Sequence, residues 1–315
     1  MLLRGRWFSS CRYLLGMSLK PIQDVLNWRT QHHCPKCGSS SRQWIKFGAY
    51  LRRSDQQFIQ RYRCRLCSKH FSAAKFDLCW HQRKRQINPM VFNLLVSGVS
   101  QRRAARILLS NRKTIVRKFI FLGGLSLDVL KLQNSIPPKS TEVQFDELET
   151  IEHTKCKPVS VLLAVDQSQR RILEFQVARM PAKGPLAEFS RKKYGPRIDE
   201  RQAARMQFFE NLREYAHEQC LFKSDDSPLY RKDLKKYFPK AKHKRFESRR
   251  SSVGGQGELK KTGFDPLFSI NHTFAKMRAD INRLFRKTWC TTKSVERLRL
   301  HIAMMALHHN ASLEG

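Results

Sequence analysis

The chain has 315 residues, of which 61 are lysine or arginine and 26 are aspartate or glutamate, giving a formal net charge of +35. This excess raises the energy of the compact state unless a polyanion offsets it, which favours a nucleic acid partner. A membrane surface would fit the sign, but no basic helix with a wide apolar face is present. Nine cysteines are too few for a disulfide scaffold, and no apolar run of membrane-spanning length occurs, so we expect an intracellular protein with no membrane partner.

Residues 1–28 begin with apolar residues that are repeatedly interrupted by arginine. This stretch lacks the continuous apolar core of a signal peptide. Two alternatives stay open for it: a disordered arm, or a segment that precedes a true translation start at Met17.

Residues 29–80 contain two Cys-x2-Cys pairs, Cys34 with Cys37 and Cys64 with Cys67, separated by 26 residues. Between the pairs, "QWIKFGAYLRR" and "FIQRYRC" are rich in aromatic and β-branched residues and flank the polar "SDQQ", which predicts a hairpin. Two such pairs joined by a hairpin are typical of a zinc ribbon. Four thiolates complete the tetrahedral coordination of Zn²⁺, so we expect a structural metal that supplies folding energy.

Residues 86–124 predict three short helices in "NPMVFNLLVSGVSQRRAARILLSNRKTIVRKFIFL". In a helix-turn-helix the first residues of the last helix enter the major groove of DNA. The outward-facing residues at that position are Arg112, Lys113, Thr114 and Arg117. The alternative is a three-helix scaffold whose basic face is merely solvated. We favour DNA binding because the basic residues concentrate on this one helix.

Residues 140–312 follow the proline-bearing linker "NSIPPKST" and show a different pattern. Three strand-like runs, "EVQFDELET", "PVSVLLAVD" and "RILEFQVAR", are followed by a helix from Ile198 to about Cys220. The run "CLFKSD", the helical "SPLYRKDLKKYF", the strand-like "AKHKRFES" and a helix from Asn271 to Thr288 come next. This order is that of an RNase H-like domain. The predicted fold class is therefore a multi-domain α/β protein: a zinc ribbon, a helix-turn-helix and an RNase H-like mixed-sheet catalytic domain.

An RNase H-like site requires one carboxylate on the first strand and another just after the fourth. Asp146 in "QFDELE" and Asp225 in "KSDDSPLY" occupy these positions. Two adjacent carboxylates repel unless cations lie between them, and two Mg²⁺ ions would clamp the attacking and leaving oxygens of a phosphodiester. Taken singly, Asp146 also fits a solvent-facing strand residue and Asp225 a turn cap. Asp166 in "AVDQSQRR" is interpreted as turn chemistry, and Asp226 as the start of the next helix.

The motifs together resemble those of bacterial insertion-sequence transposases, in particular the insertion sequence one group and related zinc-ribbon families. The resemblance runs from about Cys34 to Asn310 through "CPKCGS", "RYRCRLCSKHFS", "FDELET", "SDDSPLY" and "ADINRLFRKTWCTTKSVERLRLHIAMMALHHN". It implies a DDE-type transposase that binds the terminal repeats of its element and catalyses DNA cleavage and strand transfer. The implied cofactors are structural Zn²⁺ and catalytic Mg²⁺ or Mn²⁺. The implied partners are double-stranded DNA at the element ends and target, and further copies of the chain on paired ends. The implied location is the bacterial cytoplasm, at the nucleoid.

The third acidic position of the resemblance falls on Asn271, with the expected basic residue seven positions later at Arg278. An amide oxygen can bind Mg²⁺, although it does not neutralise the ion's charge. Glu296 in "TKSVERL" is the alternative third ligand, although a glutamate in a first helical turn is also ordinary. The alternative function is a non-catalytic zinc-dependent DNA-binding protein, either a regulator or an inactivated transposase derivative.

Overall fold

The computed structural model of this chain describes residues 33–77, 79–246, 265–285 and 289–313. The arm expected at residues 1–28 lies outside the described residues. The fold is mixed α/β, and the chain divides into two compact units, residues 1–93 and 94–315. Within the described ranges, no helix combines the length and the apolarity needed to cross a bilayer.

The first unit contains an antiparallel sheet of three strands in the order β1-β2-β3. Its strands are β1 Trp44–Arg52, β2 Gln57–Cys64 and β3 His70–Ser72. The predicted hairpin is confirmed by the pairing of β1 with β2, whereas β3 is too short for its alternation to be visible in the sequence. The Trp44 ring anchors a small aromatic core, because it packs edge-on against Phe71 at 4.8 Å and is stacked on Phe76 at 5.5 Å.

Helices follow at α1 Asn88–Val96, α2 Gln101–Ile107 and α3 Arg112–Ser135, so the three predicted helices are present. The α2 N-terminus is capped by the Ser100 hydroxyl, which accepts the Arg103 backbone N–H at 3.3 Å. Asn111 caps α3 in the same way, since its Oδ1 accepts the backbone N–H of Lys113 at 2.8 Å. Each cap satisfies a donor that the first turn leaves unpaired.

Helix α3 does not end at residue 124, where the predicted helix-turn-helix domain ended, but continues to Ser135. Gly123 lies inside the helix, where Leu300 packs so closely that there is no room for a side chain. A Cβ atom at Gly123 would come within 2.6 Å of the Leu300 Cβ. The expected linker is correspondingly short, since the next strand begins at Ser140.

The second unit contains a mixed sheet of five strands in the order β6-β5-β4-β7-β8. Its strands are β4 Ser140–Ile151, β5 Pro158–Asp166, β6 Ile172–Arg179, β7 Ala216–Asp225 and β8 Lys242–Phe246. Strands β4, β5 and β6 form the predicted antiparallel meander. Strand β7 pairs parallel to β4, and β8 pairs parallel to β7. The crossover to β7 therefore brings a distant part of the sequence beside the first strand of the sheet.

The described residues of this unit form five further helices: α4 Leu186–Tyr194, α5 Arg201–Leu212, α6 Pro228–Tyr237, α7 Phe268–Asp280 and α8 Val295–Ser312. Helix α4 was not predicted. The helix expected to reach Cys220 ends at Leu212, because the buried residues that follow it continue as β7. Helix α7 ends at Asp280 rather than at Thr288, and Thr288 itself lies outside the described residues.

Apolar side chains cover both faces of the five-stranded sheet. On one face, Leu148, Val161 and Leu163 pack with residues of α7 and α8. On the other face, Phe145, Leu162 and Ala164 pack with residues of α5 and α6. Because neighbouring residues of a strand point to opposite faces, Gln144 and Asp146 lie on the α7 face, as Leu148 does. Glu147 lies on the α5 face, as Phe145 does.

Candidate functional site

The four cysteines of the predicted ribbon come together, because their ligand atoms all lie within 4.8 Å of one another. Cys34 Sγ lies 3.5 Å from Cys67 Sγ, and Cys37 Sγ lies 3.6 Å from Cys64 Sγ. A tetrahedron of thiolates at the usual Zn–S distance of about 2.3 Å has sulfur–sulfur edges of about 3.8 Å. The cysteines can therefore hold a metal ion, and their geometry is consistent with zinc.

The electrostatics around these sulfurs favour a cation. The Ser39 hydroxyl lies 3.1 Å from Cys64 Sγ, and its hydrogen bond lowers the pKa of Cys64 to about 6. At Cys67 the Lys69 backbone N–H lowers the pKa, but burial and the three neighbouring sulfurs outweigh it and raise the pKa to about 12. The cluster therefore does not ionise completely by itself. A bound divalent metal would remove that conflict.

Asp146 and Asp225 lie side by side on the α7 face of the five-stranded sheet. In the parallel pairing of β4 with β7, Gln144 is aligned with Lys223. Extending this register by two residues aligns Asp146 with Asp225, and aligned residues of parallel strands point to the same face. Neighbouring strands are about 4.8 Å apart, which is close enough for two carboxylates to bind one cation.

The pKa values of both carboxyl groups are raised. Burial is the largest cause at Asp146, and the charges of Asp225 and Glu147 add to it, so its pKa rises to about 7 although the Glu147 backbone N–H opposes the shift. Burial is also the largest cause at Asp225, with further contributions from Glu147 and Asp226. Two partly buried carboxyl groups that both resist ionisation, one of them through the charge of the other, form a site that a cation would stabilise.

One atom of the pair lacks a partner. Asp225 Oδ1 is buried and has no hydrogen-bond donor in the part of the chain that the structure describes. A buried acceptor without a donor costs about 1–3 kcal/mol, and such an atom often marks a missing ion or water. Carboxylate oxygens are the ligands that Mg²⁺ and Mn²⁺ prefer, so the donors at this position fit a hard divalent cation.

A buried glutamine brings the start of α7 to the strand that carries Asp146. The Gln144 Oε1 accepts the backbone N–H of Ile270 at 3.1 Å, and the Gln144 Nε2 donates to the carbonyl of Pro266 at 3.0 Å. Gln144 and Asp146 share one face of β4 and are separated by about 6.8 Å along the strand. The first turn of α7, which includes Asn271, therefore lies at the same end of the sheet as the acidic pair.

Asn271 is exposed, and its side chain contacts a carboxylate that the sequence analysis did not consider. The Asn271 Nδ2 donates to Asp265 Oδ2 at 3.0 Å. The other oxygen of Asp265 accepts the backbone N–H of Leu267 at 2.9 Å. In the sequence, the Asp-Pro pair ahead of a helix indicates only a cap. Arg278 is half-buried, two turns after Asn271 on α7.

Glu296 belongs to the other end of β4. It is exposed in the first turn of α8, four residues after Thr292. The carbonyl of Thr292 accepts the backbone N–H of His153 at 2.7 Å, just past the end of β4. Since β4 rises about 3.4 Å per residue, the His153 end lies roughly 20 Å from Asp146. The described geometry favours α7 over α8 as the source of a third ligand.

The predicted DNA-contacting residues occupy the exposed start of a helix. Arg112, Lys113 and Arg117 are exposed and Thr114 is half-buried, all in the first turns of α3. Ile115 and Phe119 are fully buried on its opposite side, as the apolar pattern predicted. The connection between α2 and α3 is a four-residue turn, which is the length typical of a helix-turn-helix.

Glu147 and Lys223 are charged residues near the acidic pair that the sequence analysis missed. Glu147 accepts a hydrogen bond from the Ser160 hydroxyl at 2.7 Å on the α5 face, directly behind Asp146. Lys223 precedes Asp225 by two residues, and its Nζ donates to Gln167 Oε1 at 2.6 Å. The "FDELET" motif contains Glu147, but only the strand register shows that it faces away from the pair.

Of the predictions for Asp166 and Asp226, the first is confirmed and the second is wrong. Asp166 performs turn chemistry as predicted, because its Oδ1 accepts the backbone N–H groups of Ser168 and Gln169 at 2.9 and 2.8 Å. Asp226 does not begin the next helix. It forms an ion pair with Arg245 at 2.7 Å, and Ser227 occupies the N-cap position of α6.

Neither a known family model nor a curated protein matches the chain. Among the described residues, the one group of three or more metal-binding side chains close enough to enclose an ion is the set of four cysteines. The acidic pair supplies two ligands, so a metal bound there would keep positions open to further ligands. Open positions are a requirement for metal-assisted chemistry and are absent from a four-thiolate site.

Proposed function

We propose that the protein is a DDE-type DNA transposase with an RNase H-like catalytic domain. In this proposal it binds the terminal repeats of a mobile element, cleaves the element ends and joins the freed 3′-hydroxyls to target DNA. The observation that carries the proposal is the proximity of Asp146 and Asp225, which are far apart in the sequence but lie on neighbouring parallel strands, two residues beyond the aligned pair Gln144 and Lys223, with the Asp225 charge acting on Asp146. The strand order β6-β5-β4-β7-β8 and the high positive charge support it.

In the proposed reaction the two aspartates bind the catalytic cation and orient the scissile phosphate relative to it. A bound Mg²⁺ or Mn²⁺ would supply the activation of the attacking oxygen and the stabilisation of the leaving oxygen. Asp225 Oδ1 is free to bind because no protein donor occupies it among the described residues. Asp146 must give up its proton to bind, and its pKa of about 7 allows this at mildly alkaline pH.

The third ligand in this proposal comes from the start of α7. Asn271 can offer its amide oxygen, and Asp265 can restore the missing negative charge because it already contacts the Asn271 amide. Arg278, two turns after Asn271 on the same helix, is the proposed contact to the DNA backbone. Glu296 is the weaker candidate because α8 begins beside the opposite end of β4.

The remaining parts of the proposal concern DNA recognition. Zn²⁺ bound by the four cysteines would hold the first unit's hairpin in place. Arg112, Lys113, Thr114 and Arg117 would contact the major groove from the start of α3. We also propose that further copies of the chain assemble on paired ends, because both ends must be held during joining, and that the protein acts in the bacterial cytoplasm at the nucleoid.

A second candidate function is that of a DNA-binding protein without catalytic activity. The observation that favours it is Asn271, an uncharged residue where the resemblance places an acid. Loss of a charged ligand weakens a metal site, and a regulator derived from a transposase would retain the ribbon and the α3 contacts. DNA binding therefore does not separate the two candidates, whereas cleavage does.

The test is a cleavage assay with Mg²⁺ or Mn²⁺ on linear DNA that carries the sequences flanking the gene on both sides. The zinc-loaded wild-type chain is compared with the Asp146→Asn/Asp225→Asn variant. We expect metal-dependent nicks at the element ends and joined products from the wild type. The variant should lose at least about 100-fold in rate, because both proposed ligands lose their charge.

The matched control is Glu149→Gln/Glu218→Gln, which removes two acidic charges from the same two strands. Glu149 and Glu218 are exposed and form surface ion pairs with Lys183 and Lys240. The control should cleave within about twofold of the wild type because such pairs contribute little. If the wild type and both variants give equally negligible products while all bind DNA, the non-catalytic candidate replaces the transposase.

A further inference from the structure

Helix α4 is an unusual element because it lies on the protein surface with little burial. Of its nine residues only Ser190 is buried, and the Ser190 hydroxyl donates to the Cys156 carbonyl at 2.7 Å. A helix of this length is not stable in water by itself. Its attachment to the turn between β4 and β5 therefore keeps it in place while nearly all of its side chains face solvent.

The exposed side chains of this segment include several large apolar groups. Phe189 is 53% exposed, Tyr194 39% and Leu186 38%, and Ile198 just beyond the helix is 78% exposed. Single exposed apolar residues are ordinary, but four within thirteen residues form a patch that indicates a binding surface. Burial of these side chains against a partner would stabilise the bound state.

The rings in this patch are associated with lysine ammonium groups. Lys157 Nζ lies 4.4 Å from the centre of the Tyr194 ring. Lys193 Nζ lies 5.6 Å from the centres of both the Phe189 and the Tyr194 rings. We call these four residues, Lys157, Phe189, Lys193 and Tyr194, the stacking platform. It places flat aromatic rings and positive charges side by side, the combination with which proteins bind the bases and the backbone of a single strand.

The charge around the stacking platform is positive. The turn at residues 153–157 and the segment 183–198 contain seven basic residues and one acidic residue, Glu188. Lys183 and Arg197 pair with Glu149 and Glu152 of the β4 end. The other five, which remain to balance a partner, are Lys155, Lys157, Arg191, Lys192 and Lys193. This charge matches a polyphosphate backbone.

The same ion pairs show where the segment lies relative to the acidic pair. Lys183 Nζ lies 2.6 Å from Glu149, and Arg197 lies 2.8 Å from Glu152, both on the β4 side that follows Asp146. Glu152 follows Asp146 by six residue steps, just past the end of β4, which corresponds to about 20 Å. A DNA strand that leaves the acidic pair would therefore reach this segment only after several nucleotides.

We propose that the stacking platform binds unpaired bases of a DNA strand that leaves the acidic pair, with Phe189 and Tyr194 stacking on bases and the lysines contacting phosphates. The role beside a cleavage site rests on the proposed function, whereas binding of a single strand does not. Single-stranded rather than duplex DNA is the proposed ligand because stacking on rings requires base faces that a duplex covers.

The test is fluorescence anisotropy with a labelled single strand of 20 mixed-sequence nucleotides and with the corresponding duplex, in magnesium-free buffer. The full-length, zinc-loaded wild type is compared with Phe189→Ala/Tyr194→Ala. We expect the variant to lose about 30-fold in affinity for the single strand, as two lost stacking contacts imply. Its affinity for the duplex should change by less than about twofold, because other basic surfaces supply that binding.

The matched control is Tyr50→Ala/Phe58→Ala, which removes a tyrosine as exposed as Tyr194 and a phenylalanine more exposed than Phe189 from the ribbon. It should keep the wild-type affinity for the single strand, and circular dichroism should show that both variants are folded. An unchanged ratio of single-strand to duplex affinity in Phe189→Ala/Tyr194→Ala overturns the proposal. So does a change from dimer to monomer without loss of single-strand binding, since the patch would then be a contact between copies. Failure of the cleavage assay would leave this result unaffected.

Discussion

The cysteine cluster and the acidic pair are two candidate metal centres built in opposite ways. The cysteines come from two Cys-x2-Cys pairs, and their four sulfurs lie within 4.8 Å of one another. The aspartates come from strands β4 and β7, and a long crossover must fold before they meet. The cysteine cluster offers four soft thiolate ligands and leaves no coordination position open. The acidic pair offers hard carboxylate oxygens and leaves coordination positions open. In the proposed function, the metal at the cysteines would hold structure and the metal at the aspartates would perform chemistry.

The largest expected effect is the unfolding of the ribbon when the cysteine cluster can no longer bind zinc. Cys34→Ser removes one of four thiolates, and because the unit has only a small aromatic core, the ribbon should unfold. The zinc content should fall from one ion per chain to none, as measured by metal analysis. The near-ultraviolet circular dichroism signal of the aromatic core around Trp44 should disappear.

Cys79→Ala is the control for that experiment, because Cys79 is a buried cysteine outside the metal-binding set. It should retain one zinc per chain. If Cys34→Ser retained a full complement of zinc, the four-sulfur centre would be contradicted.

The framework that supports the acidic pair depends on close packing between α3 and α8. Gly123→Ala would bring a Cβ atom within 2.6 Å of the Leu300 Cβ, so we expect a loss of about 1–3 kcal/mol in the free energy of unfolding. Gly124→Ala meets no atom within 4 Å and should stabilise the helix by about 0.5–1 kcal/mol. Urea denaturation measures both, and equal effects at the two positions would contradict the packing.

Removal of charge from the acidic pair should stabilise the metal-free protein, whereas removal of a cysteine ligand should destabilise the ribbon. The pKa of Asp146 is raised from 3.8 to about 7, so the folded state holds a proton that the unfolded chain releases. Its contribution to stability therefore falls as the pH rises from about 4 to about 7. Asp146→Asn should be more stable than the wild type by about 1–3 kcal/mol at pH 8, without metal, and the two should converge near pH 4.

The same proton should make metal binding at the acidic pair depend on pH. Binding requires the ionised form of Asp146, so the affinity for Mn²⁺ should fall about tenfold for each pH unit below 7 and level off above it. Titration of the zinc-loaded chain with Mn²⁺ between pH 6 and pH 8.5 measures this slope. A flat profile would place the Mn²⁺ site elsewhere.

The sequence predicts features that depend on short-range patterns and predicts less well those that depend on distant contacts. The Cys-x2-Cys pairs and strands β4, β5 and β6 were visible because cysteine spacing, and apolar runs bounded by short polar connections, are local patterns in the sequence. The end of α3 was missed because glycine is usually a sign that a helix ends. Here Leu300, which is distant in the sequence, packs against Gly123 and the helix continues. The end of α5 was missed because buried residues continue through Leu212 into β7.

Within the candidate site, the aspartates could be selected from the order of elements, but their partners could not. Gln144 has no motif, yet its two hydrogen bonds bring the start of α7 to β4. Asp265 contacts Asn271 only because a turn folds back onto the helix start. Helix α4 carries few buried residues, so its sequence has no apolar stripe from which a helix could be predicted.

The most direct test of the central claim is binding of Mn²⁺ at pH 8 to the zinc-loaded chain, measured by calorimetry and electron paramagnetic resonance. Wild type and Glu149→Gln/Glu218→Gln should bind Mn²⁺ with affinities within about twofold of each other, since exposed carboxylates contribute little. Asp146→Asn/Asp225→Asn should bind at least about 100-fold more weakly, because both charged ligands are gone. Equal Mn²⁺ affinity in all three proteins would contradict a metal shared by Asp146 and Asp225.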